Sequence, residues 1–195
     1  MPTIALQDTF LEAFERLPRS EQRKTRAMID KMRRDLSSSG LNFERYNEAL
    51  DPKVHSIRVS QSYRAIAVKP ENSDTIVLVW VDHHDEAYRW VKRKRFDVNV
   101  HTGAFQMWTS TEGEIQEDSP EEPGLFSHLT DHQLIKLGVP QELVPLVKRI
   151  RTQQELDEKR KDVPVDAMEA LNFLAAGESY EDVLSFMEEL RAESE

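Results

Sequence analysis

Cysteine is absent from this 195-residue chain, which excludes disulfides and thiolate metal sites and fits a reducing, cytoplasmic setting. No apolar run reaches the roughly 18 residues that a membrane span needs, so no membrane association is expected. The N-terminus has no basic segment leading into an apolar one, so no secretory signal is visible. The pattern G-x-x-x-x-G-K-[ST] is missing, which excludes a P-loop ATPase on this chain. Apolar residues make up only 38%, enough for a modest core beneath a well-solvated surface. What the chain does have is an uneven charge. Residues 1–100 hold 18 Lys/Arg against 15 Asp/Glu, a net of +3, and residues 101–195 hold 8 against 21, a net of -13. The basic half can meet a phosphate backbone; the acidic half should avoid one.

The periodicity predicts an α+β domain over residues 1–108, an acidic linker over 109–124 and a small all-α domain over 125–195. Asp8 is placed to cap a short helix with Phe10, Leu11, Phe14 and Leu17 on one face, ended by Pro18. Ser20 is placed to cap a second helix whose stripe is Met28, Ile29, Met32 and Leu36, stopped by Ser37-Ser38-Ser39-Gly40. Residues 41–50 fit a helix or a tucked loop equally. Val54–Val59 and Tyr63–Val68 read as strands joined by the polar Ser60-Gln61-Ser62. Thr75–Val81 (TIVLVWV), following the turn cluster Pro70–Asp74, reads as a central strand buried on both faces. The result is an antiparallel meander with two helices packed on it, whose last strand ends in a turn of Asp82, His83, His84 and Asp85.

Glu86–Lys94 then reads as a short helix with Ala87 and Val91 inward. A hairpin follows, with Gly103 in the left-handed position of its loop. The stretch TSTEGEIQEDSPEEP is acidic and poor in apolar residues, as a linker is. Beyond it, Thr130, Thr152 (with Glu155, a capping box) and Ser179 mark helix starts. His83, His84 and Asp85 have the chemistry of metal ligands, but adjacent residues on one turn rarely converge on one ion. No metal site and no cofactor are expected.

The order of elements, with Ile57-Arg58-Val59, Tyr63-Arg64-Ala65-Ile66, the long apolar strand and Tyr88, resembles the RelE/ParE toxin superfamily over about residues 8–95. That resemblance implies a compact α+β fold. It also implies either ribosome-dependent, metal-independent mRNA cleavage, as in the RelE branch, or action on gyrase, as in the ParE branch. In RelE-like enzymes an arginine follows the strand tyrosine, a basic residue follows the last strand, and a tyrosine lies C-terminal to both. Arg64, His84 (with His83) and Tyr88 stand at those places, and Arg58 is one position from where a strand lysine would be, near His55 and Ile57. An antitoxin is the partner this implies. The later segment Leu137-Gly138-Val139-Pro140-Gln141-Glu142-Leu143 is similar to N-terminal regions of some UvrD/Rep-like helicases. This implies the alternative of an accessory module with a helicase partner.

Metal-free RNA cleavage needs a base for the 2′-hydroxyl, an acid for the leaving 5′-oxygen and cations for the phosphorane. Histidine suits the proton transfers, arginine suits the phosphate, and Tyr88 can stack on a base or donate a proton. Binding without cleavage has its own candidate, the run Tyr88-Arg89-Trp90-Val91-Lys92-Arg93-Lys94-Arg95. Cations interleaved with aromatics there can hold a single strand. Each residue also has a structural reading: Arg64 paired with Asp85 or Glu86, the histidines capping a helix or pairing with Asp85, and Tyr88 and Trp90 packed on the sheet.

Overall fold

The computed structural model describes residues 2–110 and 123–193. Most of the expected acidic linker falls outside them. The chain divides into two compact units, Met1–Phe96 and Asp97–Glu195.

The first unit is built on a five-stranded sheet. Its elements are β1 (Thr3–Leu6), α1 (Asp8–Glu15), α2 (Arg19–Arg34), β2 (Glu44–Arg45), β3 (Val54–Arg58), β4 (Tyr63–Val68), β5 (Thr75–His83) and α3 (His84–Val91). The strand order is β1-β5-β4-β3-β2. β5 is an inner strand, flanked by β1 and β4, and the four residues of its unbroken Ile76–Val79 run are all buried, although β4 is the middle strand of the five. β3–β4–β5 is the expected antiparallel meander. The sheet as a whole is mixed, however, because β1 pairs parallel to β5 through Thr3↔Thr75 to Leu6↔Leu78. A four-residue strand whose partner lies far along the chain leaves no local pattern to read.

Alternation sorts the side chains into two faces. Ile57, Ala65, Ala67, Leu78 and Val81 join Phe10, Ala13, Met28, Ile29 and Met32 of α1 and α2 in one core. On the other face α3 packs on β4 and β5, with Ala87 and Val91 fully buried. Leu11, expected on the apolar stripe of α1, is exposed at 42%. Neither expected cap acts as one. The residues at the N-caps are Gln7 and Pro18, without side-chain bonds, and Asp8 and Ser20 lie inside the first turns. Residues 41–50 are loop apart from the two residues of β2, with Leu41 buried.

The second unit holds most of the hairpin and the helices. β6 (Lys94–Val98), which begins in the first unit, and β7 (Phe105–Thr109) form a two-stranded sheet. Gly103 in their loop has φ +71°, as expected. The helices are α4 (Asp131–Lys136), α5 (Val144–Arg149), α6 (Gln153–Glu158), α7 (Val165–Ala175) and α8 (Tyr180–Glu193). Their core contains Phe126, Leu134, Leu137, Leu143, Val147, Leu156 and Leu171, and also Trp108 of β7. Gln106 of β7 donates from Nε2 to the Gly138 carbonyl (2.6 Å) and to both Asp166 oxygens (3.1 and 2.9 Å). These contacts tie β7 to the helices, so the units divide at 96/97 rather than after residue 108. Thr130 forms a complete capping box with Gln133. Thr152 forms half of one, since Glu155 turns its carboxylate to the Arg151 amide instead. Ser179 accepts from the Asp182 amide, the cap expected of it.

Candidate functional site

The candidate residues lie where β5 runs directly into α3. The turn expected at Asp82–Asp85 does not form. Asp82 and His83 are the last residues of β5, opposite Arg64 and Tyr63. His84 opens α3, and its amide donates to the Ser62 carbonyl at 2.8 Å. The β3–β4 turn and the strand-to-helix junction are thereby pinned together.

The register places Arg58 opposite Arg64 and Arg64 opposite Asp82, so the three side chains form a row across one face of the sheet. Nη1 of Arg64 donates to the carbonyls of Ser60 (2.8 Å), Tyr63 (3.0 Å) and, at the edge of bonding distance, Gln61 (3.4 Å). This guanidinium holds the turn rather than a carboxylate. Among the described residues Nε and Nη2 of Arg64 make no hydrogen bond, and none of Arg58, Arg64 and Asp82 makes an ion pair. The Asp82 carboxylate instead accepts from the His83 amide at 2.8 Å. Two arginines thus stand directly opposed, an unfavourable placement for like charges.

The two histidine rings lie 4.4 Å apart, centroid to centroid, tilted by 33°. His84 Nδ1 is 2.8 Å from Asp85 Oδ1, and His83 Nδ1 is 4.0 Å from Asp85 Oδ2. A carboxylate that holds one ring nitrogen leaves the other for proton transfer. The His83 ring also meets Tyr63 edge-on at 5.8 Å.

Tyr88 stacks face to face on Tyr46 at 4.4 Å. Burial, the Glu48 carboxylate and Tyr88 push the Tyr46 phenol up to about 12, so Tyr46 stays neutral throughout the physiological range. Trp90 stacks on Trp80 at 4.6 Å, and the Lys94 ammonium sits over the Trp90 ring at 5.4 Å. The basic run is not a single comb. Arg89 is exposed and paired with Glu86 at 2.7 Å. Lys92 and Arg93 are exposed at the end of α3, whereas Lys94 and Arg95 are half-buried in β6.

Sequence reasoning missed several contributors. Tyr63 packs on His83, Tyr46 provides the face for Tyr88, and Glu21 is buried on α2. Burial pushes the Glu21 carboxyl up, but the hydrogen bond from Lys24 (2.7 Å), the Lys24 charge and the nearby Ser60 outweigh it and hold it below the usual value. The signal for Tyr63 was in the sequence: extending the Thr75–Val81 strand by two residues pairs Tyr63-Arg64 with Asp82-His83. A cleft of about 400 Å³ in the second unit, lined by His101, Gln106, Trp108 and Glu142 among others, includes none of the candidate residues.

No protein-family model matches this chain, and no curated protein does. Solved structures do. The chain is similar to a protein of the RelB–RelE antitoxin–toxin complex of Methanococcus jannaschii, with 18% identity over 44% of this chain and 96% of that one, TM-score 0.37. It is also similar to a chain of the RelBE2 toxin–antitoxin complex of Mycobacterium tuberculosis, with 20% identity over 43% and 91% and a TM-score of 0.33. A copper-bound mutant toxin from Helicobacter pylori aligns with 13% identity over 44% and 98%, TM-score 0.31. Among the described residues, no helix is long and apolar enough to cross a membrane.

Proposed function

We propose that the first unit is a toxin-like RNA-cleaving domain acting by side chains alone. The observation that carries this reading is that the opposed pair Arg58–Arg64 and the His84–Asp85 pair sit at the same end of β4 and β5, where the His84 amide is pinned to the Ser62 carbonyl. Two arginines in register with no carboxylate partner are relieved by an anion, and a phosphodiester is an anion that Arg58 and the remaining nitrogens of Arg64 can hold. His84, held at Nδ1, takes the 2′-hydroxyl proton at Nε2. O2′ then bonds to phosphorus while the P–O5′ bond breaks, and the 5′-oxygen takes its proton from the second histidine, His83. The products are a 2′,3′-cyclic phosphate and a free 5′-hydroxyl. The Tyr46–Tyr88 stack offers an aromatic surface for a base, and Arg89, Lys92, Arg93, Lys94 and Arg95 add long-range attraction for the strand. An antitoxin-type protein partner belongs to the same reading.

The test is cleavage of ribosome-bound mRNA by the full chain, with the cut ends mapped. Wild type should cut, and Arg64→Ala and His84→Ala should each slow cleavage by about a hundredfold or more, as expected for loss of charge stabilisation or acid–base catalysis. Intact message with the wild-type chain, on programmed ribosomes and on free RNA alike, overturns the proposal.

A further inference from the structure

The junction that holds the candidate site also gathers ligands. Three consecutive residues cannot meet on a regular strand, where neighbours point to opposite faces, nor readily on a helix, where they fan out by about 100° each. Here the chain changes from strand to helix between His83 and His84, and the change of direction brings the three side chains together. One ligand atom from each of His83, His84 and Asp85 lies within 4.8 Å of the other two. The Asp85 carboxylate spans both rings, with Oδ1 towards one Nδ1 and Oδ2 towards the other. Asp85 has no other partner among the described residues. The backbone beneath is fixed by the His84–Ser62 and His83–Asp82 hydrogen bonds.

We propose that His83, His84 and Asp85 bind one divalent transition-metal ion through two imidazole nitrogens and a carboxylate oxygen, with water completing the coordination. Bonds of about 2.0–2.2 Å separate neighbouring ligands on a tetrahedral ion by ~3.4 Å. The observed 2.8 and 4.0 Å separations bracket that value, so small side-chain rotations close the site. Two imidazoles and a carboxylate select borderline ions, with copper(II) held more tightly than nickel or zinc, and magnesium not held. The three side chains are 43%, 40% and 67% exposed, so ions reach them without any opening of the fold. The proposal stands without the ribonuclease reading. Taken together with that reading, the ion occupies Asp85 and the histidines and so inhibits cleavage.

The experiment is calorimetric titration of the full chain with copper(II), nickel(II) and zinc(II), together with electron paramagnetic resonance of the copper form. Wild type should bind one ion, with hyperfine coupling to two imidazole nitrogens. His83→Ala, His84→Ala and Asp85→Ala should each lower affinity by tenfold or more. His132→Ala, which removes one ring of the other histidine pair, His101–His132 (6.0 Å), should leave affinity unchanged. Absence of binding, or binding that survives all three ligand substitutions, overturns the proposal. Neither outcome depends on cleavage, so failure here is distinguishable from failure of the ribonuclease reading.

Discussion

Arg58 and Arg64 face each other across β3 and β4 but differ in what they hold, so removing each should move stability in opposite directions. Arg58 is exposed, and among the described residues its side chain makes no hydrogen bond or ion pair. Arg58→Ala removes a like-charge opposition and should stabilise the sheet by about 0.2–1 kcal/mol. Arg64 bonds three carbonyls through Nη1, two of them at good distances. Buried bonds from a charged donor contribute roughly 1.5–3 kcal/mol each, but this group is half-exposed and solvent discounts them heavily. After relief of the same opposition, Arg64→Ala should destabilise by on the order of 1 kcal/mol. The assay is hydrogen exchange of the β4 amides in the full chain, at low salt and at 1 M salt, where screening acts within about 3 Å. The gain from Arg58→Ala should shrink at high salt, and added inorganic phosphate should protect the wild type more than Arg58→Ala. A loss of 1 kcal/mol or more from Arg58→Ala, or a gain indifferent to salt, refutes the idea that the two charges oppose each other and await an anion.

Acid should loosen the first unit through His55. Burial lowers its pKa below the ordinary 6.5, outweighing the bond to the Lys53 carbonyl, with Lys69 and Arg45 lowering it further. The unfolded chain therefore takes up the proton first, so stability is full above the unfolded value and falls as pH drops from 6.5 towards the folded one. His55→Gln should flatten that slope in urea melts of the full chain, and an unchanged slope rejects the assignment. In the second unit, Gly138 and Gly177 both have positive φ, +110° and +100°. A Cβ at Gly138 would sit 3.1 Å from Asp166 Oδ2, whereas one at Gly177 would meet nothing within 4 Å. Gly138→Ala should destabilise by about 2–3 kcal/mol and Gly177→Ala by about 1 kcal/mol, strain alone accounting for the smaller figure. Equal shifts in urea midpoint would show that the Asp166 contact is irrelevant.

The legible parts of the fold were those with a local period. The Ile76–Val79 run marked an inner strand, the Met28–Ile29–Met32 stripe marked the buried face of α2, and Ser179 marked the start of α8. The illegible parts were decided by distant partners. Thr3–Leu6 becomes a strand only because β5 offers it a parallel edge, and Asp82-His83 stay extended because Arg64 and Tyr63 pair with them. The hairpin was visible, but not that its second strand belongs with the helices, which depends on Gln106 reaching Gly138 and Asp166. At the candidate site, the resemblance to RelE-like enzymes pointed to Arg58, Arg64, His83, His84 and Tyr88, and residue chemistry only said what such groups can do. Neither gave a hint that Arg64 spends one nitrogen on a turn, or that Tyr88 lies flat on Tyr46. Those are properties of register and stacking.

The parallel β1–β5 pair also sets an order of events during synthesis. Residues 3–6 leave the ribosome long before residues 75–78, the only strand among the described residues with which they pair. At roughly 5–20 residues per second, the intervening chain takes on the order of 4–14 s to make. The β3–β4 hairpin needs no such wait, because its partners are close in sequence. The nascent unit therefore passes through a stage in which the meander is forming while β5 is unmade and β1 has no edge to join. Closing this long loop cannot begin until β5 is made, and long-range pairing of that kind is intrinsically slow. A translational pause placed before Thr75 would lengthen that stage, and one placed after His83 would not.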